Sequence, residues 1–374
     1  MFIEFTVGNF RSFREPVTVS MLATPLKGRT REIDENNVFN GEGGNRLLTT
    51  AGIYGANASG KSNFVKALFR MRSMVLSQPV DSPAMQNLPL EPFLLDPYTR
   101  EKPSHFEIVF VTEGIQYRYG FEADTNRIVS EWLYHVPSKR ESNLFFRGSV
   151  RESVRESVRE DDVNGKGFSF TKSFKEGGRL SKMTRPNALF LSVLAQFNDP
   201  IAMRVIRWFH EKLDVAVVED GWGGSLHAML NYTISQLGKR EGNLRKRILV
   251  LVKQGDFGIE GLNVDTFEVA DRLPDDMPEE LRKIILEDGP TTGHRLLTQH
   301  SSFAEGRKTN EMVSFELKQH ESSGTQKLIA LSGPLLDALD NGGVFVMDEM
   351  DARLHPVLSR AVVGLFQDKA KNPH

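Results

Sequence analysis

Residues Gly55-Ala56-Asn57-Ala58-Ser59-Gly60-Lys61-Ser62 carry the spacing G-x-x-x-x-G-K-[ST]. Such a stretch gathers backbone N–H groups into a concavity that can hold several phosphate oxygens at once. Glycines at 55 and 60 permit the tight turn and the close backbone approach. Lys61 would reach the β- and γ-phosphates of ATP, and the Ser62 hydroxyl would hold Mg²⁺. Ala56, Asn57, Ala58, Ser59 and Asn63 complete the expected nucleotide contacts. Far downstream, Val344-Phe345-Val346-Met347 runs into Asp348-Glu349. A hydrophobic strand ending in two acids, paired with a phosphate loop, is the Walker B arrangement. Asp348 would hold Mg²⁺ through its water shell, and Glu349 would orient and polarise the attacking water. Taken singly, each stretch also reads as ordinary structure: a glycine-rich turn, or surface acids at a strand end.

These residues need elements to place them. Leu47–Tyr54 reads as a buried strand leading into the loop. Phe64, Leu68, Met71, Val75 and Leu76 fall at helical spacing after it. Met1–Val7 alternates as a strand, Pro16–Ser20 reads as a second, and residues 25–46 read as a loop. Between the two strands, Arg11 either faces the nucleotide or sits as a surface arginine at a turn. Prolines at 79, 83, 89, 92, 97 and 103 exclude regular helix. The runs at 106–111, 116–121 and 131–136 then predict a β-meander, with a hairpin turn at Glu113-Gly114.

Residues 185–290 read as mostly helical. Asp199-Pro200 caps one helix, with Ile201, Val205, Trp208, Phe209 and Leu213 inward. A second starts near Ser225, a third carries Leu244, Ile248 and Val252, and a fourth carries Leu281, Ile284 and Ile285. Ser-Val-Arg-Glu occurs three times at 149–160, either as a contact arm or as a solvated insertion. Lys239, Arg240, Arg245, Lys246 and Arg247 cluster without interleaved aromatics, which suits a solvated face as well as nucleic acid. Met312–Leu317 predicts a strand. Ser322-Ser323-Gly324 then opens a helix with Leu328, Leu331, Leu335 and Leu339 on one side, kinked where Pro334 removes a bond to the Ala330 carbonyl.

Composition bounds the rest. The chain has 374 residues, a net charge of −2, 39% hydrophobic residues and no cysteine. Disulfides, thiolate metal sites and cysteine nucleophiles are excluded. No apolar run approaches the roughly 18 residues of a membrane span. A cytoplasmic protein without a membrane partner is expected.

In order, the phosphate loop, the Ser323-Gly324 helix, the Asp348-Glu349 strand and Asp351 resemble the head of ABC-type ATPases. Ser323-Gly324 looks like the signature motif and Asp351 like the D-loop acid. The resemblance implies a homodimer, or higher homo-oligomer, joined through heads, each signature closing the other subunit's ATP site. Asn9-Phe10-Arg11-Ser12-Phe13, Pro92-Phe93-Leu94-Leu95-Asp96 and Leu354-His355-Pro356 are similar to the RecF/SMC branch, and within it to the AbiL/RloA-type abortive-infection ATPases related to OLD proteins. The implied fold is α/β: a P-loop ATPase head (a mixed β-sheet flanked by helices, plus an antiparallel β-meander) over 1–140 and 311–374, interrupted by a mainly helical lid over 141–310. The implied function is Mg-ATP hydrolysis in anti-phage defence, with a separate nuclease-like or RloB-like effector. The alternatives are a RecF-like ATPase that clamps DNA and an ATP-locked scaffold. Thr325 replaces the second glycine of the usual signature. His374 falls too early for the family's switch histidine, so the sequence reads as part of a longer chain.

Overall fold

The computed structural model describes residues 1–25, 35–77, 87–148, 167–174, 176–217, 225–239, 242–255, 258–274, 277–288, 290–352 and 354–373. The tetrapeptide repeat at 149–160, Arg240 and His374 lie outside them. Two compact units emerge: residues 1–217, 341–348 and 363–374 form one, and residues 218–340 and 349–362 form the other.

The first unit is built on a seven-stranded sheet in which every neighbouring pair is antiparallel. Its members are β1 (Phe2–Gly8), β2 (Val17–Ser20), β5 (Ser104–Thr112), β6 (Ile115–Ala123), β7 (Ile128–Val136), β8 (Ser142–Arg147) and β9 (Phe168–Phe170), in the order β2-β1-β5-β6-β7-β8-β9. Period-two alternation turns Phe106, Ile108 and Phe110 of β5 and Tyr117, Tyr119 and Phe121 of β6 into the core. The expected turn joins β5 to β6, with Glu113 and Gly114 both at positive φ, as a tight hairpin requires. The meander thus runs further than its three expected strands, into β1 on one side and β8 and β9 on the other.

Helices cover this face. α1 (Lys61–Leu76) follows the phosphate loop and buries Phe64, Leu68, Met71 and Val75, with Phe64 edge-on to Phe5 at 5.3 Å. A one-turn helix, α2 (Pro97–Arg100), starts at Asp96 and interrupts the proline-rich stretch. α3 (Gly177–Met183) and α4 (Phe190–Gln196) come next. Glu131, fully buried, accepts bonds from the Tyr119 hydroxyl and from the N–H groups of Phe190 and Leu191, where α4 begins. Burial pushes its carboxyl pKa up, against the opposing pull of Arg147. Asp199 caps α5 (Pro200–Glu211) by accepting from Ile201 and Ala202, as its sequence predicts. Trp208 of α5 stacks on Phe110, with ring centroids 4.0 Å apart.

Two expectations fail here. The predicted strand at Leu47–Tyr54 survives only as β4 (Arg46–Leu48), paired with β3 (Val38–Asn40). Asn37 Oδ1 takes bonds from Thr49 Oγ1, Thr50 N and Thr50 Oγ1, which draws the chain off the ladder. Residues 51–59 are exposed, Tyr54 almost wholly so. Leu213, expected on the face of α5, instead opens β10 (Leu213–Ala216), which pairs in parallel with β14 (Val344–Met347). β14 is half-buried, not fully enclosed.

The second unit holds α6 (Ser225–Gly238), α7 (Asn243–Gln254), β11 (Ile259–Glu268), α8 (Glu279–Asp288), β12 (Thr292–Ala304), β13 (Arg307–Glu316), α9 (Leu317–His320) and α10 (Ser323–Asn341). α11 (Pro356–Gln367) closes the order of elements. Strand β11 departs from the mostly helical expectation for its region, pairing with β12, which pairs with β13. Leu281, expected inward, is exposed. Pro334 lies inside α10 as predicted, and the carbonyl it frees is repaired by a neighbour. The Thr233 hydroxyl of α6 donates to Ala330 O at 3.0 Å and accepts from Gly333 N at 3.2 Å. Thr233→Val leaves the buried Ala330 carbonyl without its donor, so thermal denaturation of this variant should show a loss of about 1–3 kcal/mol. Thr233→Ser should remain near wild type.

Candidate functional site

The phosphate loop is a cradle shaped by two glycines. Gly60 has φ +97°, and a Cβ there would meet Ser12 Oγ at 2.7 Å. A Cβ on Gly55 would meet Ser59 Oγ at 2.7 Å. Ala58 also takes a left-handed conformation, at φ 61°, and Ser59 N bonds back to Ala56 O. Ala56, Asn57, Ala58 and Ser59 face solvent. Lys61 folds its ammonium over the loop, donating to the carbonyls of Gly55 and Ala56 at 2.8 Å each. An ammonium already held by weak acceptors inside an anion cradle is poised to exchange them for phosphate oxygens.

One of the distant acids, Asp348, reaches this loop. Ser62 Oγ donates to Asp348 Oδ1 at 3.1 Å, across 286 residues of sequence. Asp348 is buried, at the end of β14, and its N–H bonds to Ala216 O of β10. A hydroxyl and a carboxylate on one locus are the hard oxygen donors that Mg²⁺ prefers. The residues present therefore fit the metal.

The turn after β1 completes this wall. Ser12 Oγ accepts from Asn63 Nδ2 at 2.9 Å, so Asn63 holds the turn as well as standing beside the cradle. Arg11, a candidate for facing nucleotide, donates to Glu91 Oε1 at 2.6 Å. Asn9 fastens the proline-rich stretch below: its amide donates to the carbonyls of Thr99, Lys102 and Pro103 and accepts from Phe93 N. In the sequence, Ser12 is marked only as a member of the Asn9–Phe13 stretch. Its role shows only in the packing around Gly60, where an added Cβ would meet Ser12 Oγ at 2.7 Å and the Phe13 ring at 3.3 Å.

In the second unit, Ser322 caps α10, accepting from Thr325 N at 3.1 Å. Ser323 and Gly324 form the first turn, with Ser323 exposed. Thr325 is buried and its hydroxyl meets that of Ser322 at 2.9 Å, so the residue that replaces glycine points inward. Glu321 is tied behind them by Thr298 Oγ1 at 2.6 Å and His300 Nε2 at 2.8 Å. Glu349 is exposed at φ 49°, and Asp351 sits in the turn that follows. Within the basic cluster, Arg247 is ion-paired with Asp340 and Lys239 bonds Gln236 Oε1.

Over residues 51–174 and 203–373 the chain matches the family described as "AAA domain, putative AbiEii toxin, Type IV TA system". The chain belongs to this family. Membership places it among P-loop ATPases, a class that binds ATP with Mg²⁺. The mixed α/β architecture with its large antiparallel sheet fits such a domain. A search of curated proteins returns no match. No described helix is long and apolar enough to cross a membrane.

Asp348→Asn should raise the Mg²⁺ concentration that supports nucleotide binding about tenfold or more, since it removes a charge from a hard-oxygen site. A Mg²⁺ titration of fluorescent-nucleotide binding checks this.

Proposed function

We propose that this chain is an ABC-type ATPase that binds and hydrolyses Mg-ATP, dimerises around the nucleotide, and serves as the sensor or motor of an abortive-infection defence with a separate effector. The observation that carries the reading is the Ser62–Asp348 hydrogen bond, which brings the two halves of a magnesium site together. The AAA-domain family and its toxin–antitoxin description support the setting. The narrower likeness to AbiL/RloA-type ATPases rests on the sequence patterns alone.

In this reading the loop amides and Lys61 hold the β- and γ-phosphates, and Ser62 and Asp348 hold the metal. Bound Mg²⁺ supplies charge neutralisation on the phosphate oxygens. Glu349, the chain neighbour of Asp348, orients the attacking water and takes up its proton. Ser323 and Gly324 offer a hydroxyl and an amide at the start of a 19-residue helix, a favourable place for a γ-phosphate of the partner copy's nucleotide.

Lys61→Ala should abolish nucleotide binding in equilibrium titration, and retained affinity would refute the phosphate-loop assignment. Glu349→Gln should bind ATP normally, lose turnover and accumulate as a dimer by light scattering under saturating Mg-ATP. A variant that stays monomeric there would remove the two-site arrangement.

A further inference from the structure

α10 contains a lysine in an unusual place. Lys327 lies one turn after Ser323, on the same helical face, and is only 3% exposed. Its ammonium donates to Glu349 O at 2.7 Å, to Ala352 O at 2.7 Å and to Met350 O at 3.5 Å. All three acceptors belong to the turn that follows the Walker B strand, which is also closed by Ala352 N bonding to Glu349 O. A buried ammonium is costly unless its protons are matched, and three carbonyl dipoles match them.

The turn needs holding. Glu349 stands at φ 49°, a conformation that strains a non-glycine residue and persists only where surroundings enforce it. The Glu349 carbonyl direction fixes the peptide plane next to that residue, and so the root of its side chain. A lysine reaching from the signature helix therefore grips the backbone of the residue assigned to the attacking water.

We propose that Lys327 is a positioning residue that couples the Ser323-Gly324 turn to the placement of Glu349, so that phosphate contact at the signature is felt at the water-activating carboxylate. This rests on the ATPase reading above. A shift of α10 along its axis moves the Lys327 ammonium with it, and the 349–352 turn must follow or lose its clasp. In a dimer of heads, the signature serves one nucleotide and Glu349 another. The lysine is then the short mechanical link between two active sites.

The test compares wild type with Lys327→Met, Lys327→Gln and Lys327→Arg in the full chain. Gln retains two donors for the carbonyls and guards against a Met variant that fails to fold. The expected result is a fall in kcat of about tenfold or more in Met and Gln with ATP affinity held within about twofold, and recovery toward wild type in Arg. Amide exchange over residues 349–352 should quicken in Gln while α10 keeps its protection. Unchanged kcat in a folded Met or Gln variant overturns the proposal. So does a loss that tracks melting temperature and is not restored by Arg, because that marks a merely structural lysine. Absence of Mg-ATP turnover in the wild type overturns the ATPase reading as well, whereas wild-type turnover retained by the variants overturns this inference alone.

Discussion

A hydroxyl at the start of one helix and a carboxylate at the end of one short strand must meet, and the first unit is arranged to make that happen. Ser62 and Asp348 are too far apart in sequence for any local signal to join them. The join is made by packing. α1 and α5 share one apolar cluster, in which Phe64, Leu68 and Met71 lie with Val205, Trp208 and Phe209. Arg72 Nε donates to Phe209 O at 3.0 Å and ties the two helices together. α5 delivers β10, and β10 pairs with β14 in register from Leu213–Val344 to Ala216–Met347. One further bond, Asp348 N to Ala216 O, sets the carboxylate beside the loop. Large aromatic side chains thus fix the position of two small polar groups, a division of labour that suits a site whose own atoms must stay available for ligand.

The readable parts of the sequence were those whose physics is local. The phosphate loop, the Asp199-Pro200 cap, the Glu113-Gly114 hairpin and the carbonyl freed by Pro334 all declare themselves through residue types that tolerate few conformations. What the sequence hid depended on competition between partners. Leu47–Tyr54 has the composition of a strand, yet a single asparagine side chain at 37 captures Thr49 and Thr50 and ends the ladder at Leu48. Leu213 continues the apolar spacing of α5, but the strand it opens is decided by β14, more than 120 residues away. β11 was missed because its flanking helical patterns dominate the window around it.

The candidate site divides along the same line. Lys61, Ser62 and Asp348 were legible from spacing and come together in the first unit. Arg11 was legible only as a charge near a turn, and the charge it meets is Glu91. Lys327 could not be found from pattern at all, since it sits amid Leu328, Ile329 and Leu331 in a run that reads as plain core. Only its three carbonyl partners reveal that a cation belongs there.

The clasp at Asn9 has a chemical corollary. Three carbonyl oxygens converge on its amide nitrogen, and the carbonyl oxygen of the same side chain takes the Phe93 N–H. Aspartate matches asparagine in shape and shares its tolerance of left-handed backbone, which Asn9 adopts at φ 46°. It would nonetheless bring negative oxygen against those three acceptors. Spontaneous deamidation at this one buried position would therefore act as an ageing lesion, turning the stitch that secures the 93–103 segment into a source of repulsion beside the phosphate-binding wall.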